Sequence, residues 1–144
     1  MGKAKKMSVT LAPDYRPSKK EEFMNPIMSE YFRQKLLAWR GELLTESNET
    51  LLHLQEGGIQ EPDISDRASI EADRSLELRP RDRARKLISK IDEALERIEH
   101  GEYGYCEVTG DPIGLKRLIA RPVATMTVEA QQAHERREKI SRDD

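Results

Sequence analysis

The chemistry this sequence could carry centres on a small set of side chains. Cys106 is the only cysteine. It opens a spaced set, Cys106, Thr109, Thr127 and Ala130, whose x2, x17, x2 intervals are those of a four-cysteine zinc ribbon. A structural zinc site needs four good donors, and two neutral hydroxyls and a methyl group cannot stand in for thiolates. The frame is therefore expected to hold no metal. A lone thiol could also act in redox sensing or as a nucleophile. The plainer reading is a small, partly buried residue, because nothing local lowers its pKa and Glu107 would raise it.

Two further charged sets stand out. Arg79, Arg83, Lys86 and Lys90 step by 4, 3 and 4, which lays them along one helical line. The line faces away from the seam expected at Ile88, Ile91 and Leu95, so it is free to meet an anion. Any solvated helix face has the same look. Asp63 and Asp66 fall where a second helix should begin. There they could cap the helix and favour its dipole, or they could be the most accessible acids at the end of a long probe. His53, His100 and His134 are scattered singly, and the chain has no phosphate-cradling glycine loop and no serine elbow. No enzyme chemistry is expected.

The elements that must position these residues follow from composition and periodicity. In 144 residues, 36% are charged, 36% are apolar and 5% are aromatic, with a net charge of −2. A large spherical core is excluded, and long exposed helices fit the balance of charge. No apolar run is long enough to cross a membrane. No secretory signal follows the first lysines, and one cysteine allows no internal disulfide, so a cytoplasmic location is expected.

Residues 1–24 read as a mobile arm. Asn25-Pro26 is a helix-start pair. Phe32, Leu36, Trp39 and Leu43 then form one apolar face. Gly57-Gly58 should end this helix, and a second should run from about residue 65 to Glu99. Its seam is Ala84, Ile88, Ile91, Leu95 and Ile98, and Pro80 should kink it. Two such helices joined by a short loop must fold back on each other. The coiled coil thus spans 25–100, with its tip near 57–68. Residues 101–144 read as a tightly turning, ribbon-like segment plus a last helix from about Thr127 to Ser141. An apolar cluster of Tyr103, Tyr105, Val108, Ile113, Leu115, Leu118, Met126 and Val128 should replace the missing metal bonds.

Three stretches in order resemble the DksA family: Pro62-Asp63-Ile64-Ser65-Asp66-Arg67-Ala68, then Ser75-Leu76-Glu77-Leu78-Arg79-Pro80-Arg81-Asp82-Arg83, then Pro112-Ile113-Gly114 through Ala120-Arg121-Pro122. The resemblance covers about residues 25–140. It implies an all-α fold: a long antiparallel two-helix coiled coil, a small zinc-ribbon-like segment, metal-free here, and a C-terminal helix. It also implies a bacterial transcription regulator, a monomer that enters the secondary channel of RNA polymerase and makes no direct contact with DNA. Such a regulator destabilises open complexes together with the alarmone ppGpp, repressing ribosomal RNA promoters and aiding some biosynthetic ones.

By that resemblance Asp63, Asp66 and Ala68 are the working tip, facing the polymerase active site. Leu87, Lys90 and Arg121 are the contacts for ppGpp at the polymerase interface. Gln131 stands where the family has a further basic contact, which predicts weaker or differently arranged alarmone binding. Three other readings stand beside this one. They are a coiled-coil adaptor that does not need Asp66, a thiol-based redox sensor centred on Cys106, and a nucleic-acid binder using the arm and the basic stripe. The near-neutral charge disfavours the last.

Overall fold

The computed structural model describes residues 10–56 and 64–143, with side chains placed except at 51, 54–56, 64–77 and 142–143. Four helices follow in order: α1 (Pro26–Glu56), α2 (Ile64–Glu99), α3 (Leu115–Ala120) and α4 (Val128–Asp143). Among the described residues there is no strand, only an isolated antiparallel bridge between Tyr105 and Pro112. No helix among them is long and apolar enough to cross a membrane. The chain packs as two compact units, one of Met1–Leu36 with Glu93–Asp144, the other of Leu37–Asp92.

The α1 start is built as its residue types require. Asn25 Oδ1 accepts the Met28 N–H at 3.0 Å, and Pro26 takes the first helical position, where its missing N–H is not needed. The α2 stop is a Schellman motif. The Glu102 N–H reaches the Arg97 carbonyl at 2.8 Å and the Gly101 N–H reaches the Ile98 carbonyl at 3.2 Å. Gly101 has φ +72°, a conformation glycine adopts without the steric cost of a Cβ.

Within the Leu37–Asp92 unit the two long helices run antiparallel. Arg40 grips Asp92, its Nε 2.7 Å from Oδ1, and Glu46, Ser47 and Thr50 share a cavity with Pro80, Arg81 and Ala84. Leu43, Ala84 and Ile91 are buried here, and Ile88 is half-buried. α2 passes through Pro80 without a break in the helix. The loop at Gly57-Gly58 lies outside the described residues.

In the other unit Met28, Phe32, Leu36 and Ala94 are buried together with Tyr103, Cys106, Ile113, Leu115, Leu118, Val123 and Ala124. The expected apolar cluster is corrected at two places. Val108 is 63% exposed and Val128 is 44% exposed. Val123 and Ala124, which have no helical or strand periodicity to betray them, are buried instead.

Of the arm expected over 1–24, residues 1–9 lie outside the described residues. Tyr15 to Met24 are anchored. The Tyr15 hydroxyl donates to Glu21 at 2.7 Å, the Tyr15 ring meets Tyr31 edge-on at 5.8 Å, and Phe23 meets Tyr105 edge-on at 5.5 Å. Gly104 is the counterpart of this contact. A Cβ there would lie 2.9 Å from Met24 Cγ, and the backbone has φ +94°, so only glycine allows the approach.

Candidate functional site

The zinc-ribbon frame is assembled around Cys106. After Gly104 the chain doubles back: the Ile113 N–H bonds the Gly104 carbonyl at 2.8 Å, the Cys106 N–H bonds the Asp111 carbonyl at 2.7 Å, and the Gly110 N–H bonds the Cys106 carbonyl at 2.9 Å. A second segment closes on it through the Glu107 N–H and the Thr125 carbonyl, 2.8 Å apart, and through the Thr125 hydroxyl and Glu107 Oε2, 3.1 Å apart. Three side chains lock the turns from outside. Arg97 Nη2 donates to the Tyr105 and Glu102 carbonyls at 2.7 and 3.1 Å. The buried Tyr103 hydroxyl donates to the Pro122 carbonyl at 2.7 Å. Arg117 Nε donates to the Met126 carbonyl at 2.9 Å.

The four frame positions meet, but not as metal donors. Burial pushes the Cys106 thiol up. The Thr109 hydroxyl and the backbone N–H groups of Thr127, Thr109 and Val108 favour the thiolate more strongly, and its pKa falls to about 7. The sequence reading that nothing nearby lowers this pKa is thereby corrected. Its causes are a hydroxyl, that of Thr109, and backbone N–H groups, none of which sequence displays as charge.

Thr109 Oγ1 also accepts the Asp111 N–H at 3.2 Å. Thr127 Oγ1 accepts the Ala130 N–H at 3.1 Å, and the Thr127 carbonyl takes the Gln131 N–H at 2.9 Å. Thr127 is thus the N-cap of α4, one residue before its first turn. One thiol, two hydroxyls that accept backbone N–H groups and one methyl are not a zinc donor set. The described residues hold no cluster of three or more His, Cys, Asp or Glu that could bind a metal ion. The residues present do not fit zinc. Cys106 itself is only 3% exposed, so its acidity comes without open access.

The other expected site residues divide as follows. Asp63 lies outside the described residues. Asp66 and Ala68 fall at the start of α2, where the helix dipole favours an acid. Arg79, Arg83, Lys86 and Lys90 are all exposed and Leu87 is half-buried, all within the Leu37–Asp92 unit. The buried residues Ala84 and Ile91 set the inner face of α2 there. At about 100° per residue, the basic line lies roughly a third of a turn away, so it flanks the seam rather than opposing it. Arg121 is exposed in the other unit, where its backbone N–H closes α3 on the Arg117 carbonyl at 2.7 Å. Gln131 is half-buried, and its amide donates to Glu135 at 3.0 Å.

Sequence reasoning missed α3, the Arg97 clamp, the Thr127 cap and the Tyr15–Glu21 anchor. Only the cap had a local signal, a threonine directly before a polar helical run.

A long antiparallel helical pair followed by a ribbon frame stripped of its metal donors defines the class of this protein. Residues 28–98 match the family described as DnaK suppressor protein DksA, N-terminal domain, and residues 101–136 match the prokaryotic dksA/traR C4-type zinc finger. The chain is 66% identical over 131 residues to the RNA polymerase-binding transcription factor DksA of Caulobacter vibrioides, covering 91% of this chain and 92% of that protein. It is 44% identical over 125 residues to the protein of the same name from Escherichia coli, covering 87% and 83%. Among solved structures it is similar to the transcription factor DksA2 from Pseudomonas aeruginosa, with a TM-score of 0.75 and 41% identity over 81% of this chain and 90% of that one. The chain belongs to the DksA family.

Proposed function

We propose that this protein regulates transcription by binding RNA polymerase, and that it does so through protein contacts rather than by holding DNA. The carrying observation is its 66% identity, across both the helical pair and the ribbon segment, to a relative named for binding RNA polymerase. In this reading the coiled coil enters the secondary channel as a monomer in the cytoplasm. Asp63, Asp66 and Ala68 form the tip that approaches the polymerase active site and shortens the life of open complexes, repressing ribosomal promoters and aiding some biosynthetic ones.

The alarmone ppGpp acts as co-effector against Leu87, Lys90 and Arg121. The exposure of Lys90 and Arg121 supports this role, since a cation in contact with water is free to turn its N–H donors to phosphate oxygens. Arg79, Arg83 and Lys86 extend the same basic line toward the polymerase. The hydrogen bond from Gln131 to Glu135 puts a carboxylate where the family has a cation, which weakens the attraction for phosphate.

The test is binding of the labelled full chain to purified RNA polymerase from Caulobacter vibrioides, with and without Asp66→Asn. Both forms should bind. Failure of the unaltered chain to bind would overturn the reading.

A further inference from the structure

One layer of the coiled coil differs from its neighbours. Within the Leu37–Asp92 unit both helices bury large side chains, Leu43 on α1 and Ile91 on α2. At the next layer α1 presents Ser47 and α2 presents Ala84, both buried, and Pro80 stands one turn before Ala84. Between them is a cavity of about 260 Å³ lined by Glu46, Ser47, Glu49, Thr50, Pro80, Arg81 and Ala84.

The Ser47 hydroxyl is the one buried side-chain polar atom among the described residues with no hydrogen-bond partner. Its neighbours behave differently. Thr45 and Thr50 donate back to the Gly41 and Glu46 carbonyls at 3.1 and 3.0 Å, a local bond that loosens and bends a helix. On the facing helix Pro80 has no N–H to give to the carbonyl of residue 76, which leaves an acceptor short of its helical donor. A hydroxyl without a partner and a helix missing a hydrogen bond thus meet at one layer. The cavity has room for several water molecules and polar groups to hold them.

We propose that the Ser47–Pro80–Ala84 layer is an articulation in the coiled coil. The helical hydrogen bond that Pro80 cannot make and the small side chains beside the cavity let the α2 segment before Pro80 change direction relative to the segment after it. A dry, interlocked layer would resist that movement, because close-packed side chains have few alternative arrangements. The inference concerns the mechanics of the hairpin and stands whether or not the partner is RNA polymerase.

The test uses the full chain with Cys106→Ser and spin labels introduced at Glu71 and Ser89. These positions are 18 residues apart on one line of α2, roughly 27 Å in an unbent helix. Pulsed electron-electron resonance reads the distribution of that distance, with helical content checked by circular dichroism. The unaltered layer should give a broad distribution. Pro80→Ala should narrow it, and Pro80→Ala with Ser47→Leu, which also fills the cavity, should narrow it further, to about half the original width. If Pro80→Ala, which restores a good helix former, leaves the width unchanged, there is no articulation and the inference fails. It fails equally if the unaltered chain already gives a distribution as narrow as that of the double variant.

Discussion

Tyr103→Phe isolates one of the interactions that replace metal bonds in the ribbon segment. The ring is buried, with its centroid 5.6 Å from that of Phe32, and phenylalanine keeps that contact. Only the hydroxyl is lost, with its 2.7 Å hydrogen bond to the carbonyl of Pro122, itself a buried residue. A typical hydrogen bond contributes about 1 kcal/mol net, and a buried carbonyl left without its donor costs about 1–3 kcal/mol. A loss of about 2 kcal/mol is therefore expected, or about 4–8 °C in melting temperature for a chain of this size.

A second signature separates this from loose packing. Burial raises the Tyr103 pKa above its ordinary 10.0. Because the folded value is the higher one, the stability this group contributes is fully present below pH 10 and falls as pH rises beyond it. The gap between the unaltered protein and Tyr103→Phe, measured by urea denaturation from pH 8 to 11, should shrink above pH 10. A variant as stable as the parent at pH 8, or a gap that widens with pH, would show that the Tyr103 hydroxyl does not hold the Pro122 carbonyl.

Purified protein should contain well under one zinc per chain by elemental analysis, and a chelator should leave its melting curve unchanged, since a domain folded by zinc would lose that energy with its metal; stoichiometric zinc would contradict the donor chemistry described above. Cys106→Ser should cost least near pH 7 and most above pH 9, because a thiol lowered from 9.0 to about 7 contributes stability that is fully present above its unfolded value and lost as pH falls through its folded one; a gap that does not change between pH 7 and 9 in urea denaturation would exclude the thiolate. Lys90→Ala and Arg121→Ala should each blunt the added effect of ppGpp on in-vitro transcription and leave the alarmone-independent effect in place; a full ppGpp response in both would remove these residues from the co-effector site.

Much of the helical architecture was legible because its signals are local and periodic. Asn25-Pro26 marks the start of α1 to the residue, and Phe32, Leu36, Leu43, Ala84 and Ile91 are buried as their spacing demands. The stop at Gly101 is equally local, since a left-handed backbone selects glycine there. The ribbon was less legible. Val108 and Val128 are apolar and were expected inside, but Val108 lies in a turn and Val128 opens α4, and both are exposed. Cys106 owes its acidity to the Thr109 hydroxyl and to the backbone N–H groups of Thr127, Thr109 and Val108; the frame spacing brings Thr109 and Thr127 to the thiol without showing that they favour the thiolate. Tyr103 finds its acceptor nineteen residues away, a pairing that leaves no trace in spacing. The Tyr15–Glu21 anchor is hidden for a related reason: its residues share no period, and their polarity suits a solvated arm as well as a folded one.

In the proposed function Asp66, in the first turn of α2, acts on the polymerase beyond any favourable effect on the helix dipole. The direct measurement is the lifetime of open complexes at a ribosomal RNA promoter, with RNA polymerase and either the unaltered chain or Asp66→Asn at saturating concentration. Asp66 is the third residue of α2, and asparagine there keeps the size of aspartate and removes its charge. The unaltered protein should shorten the lifetime, and Asp66→Asn should bind the polymerase yet leave the lifetime near that of polymerase alone. Equal shortening by both proteins, or no shortening by either, would show that the charge of Asp66 does not act on the open complex.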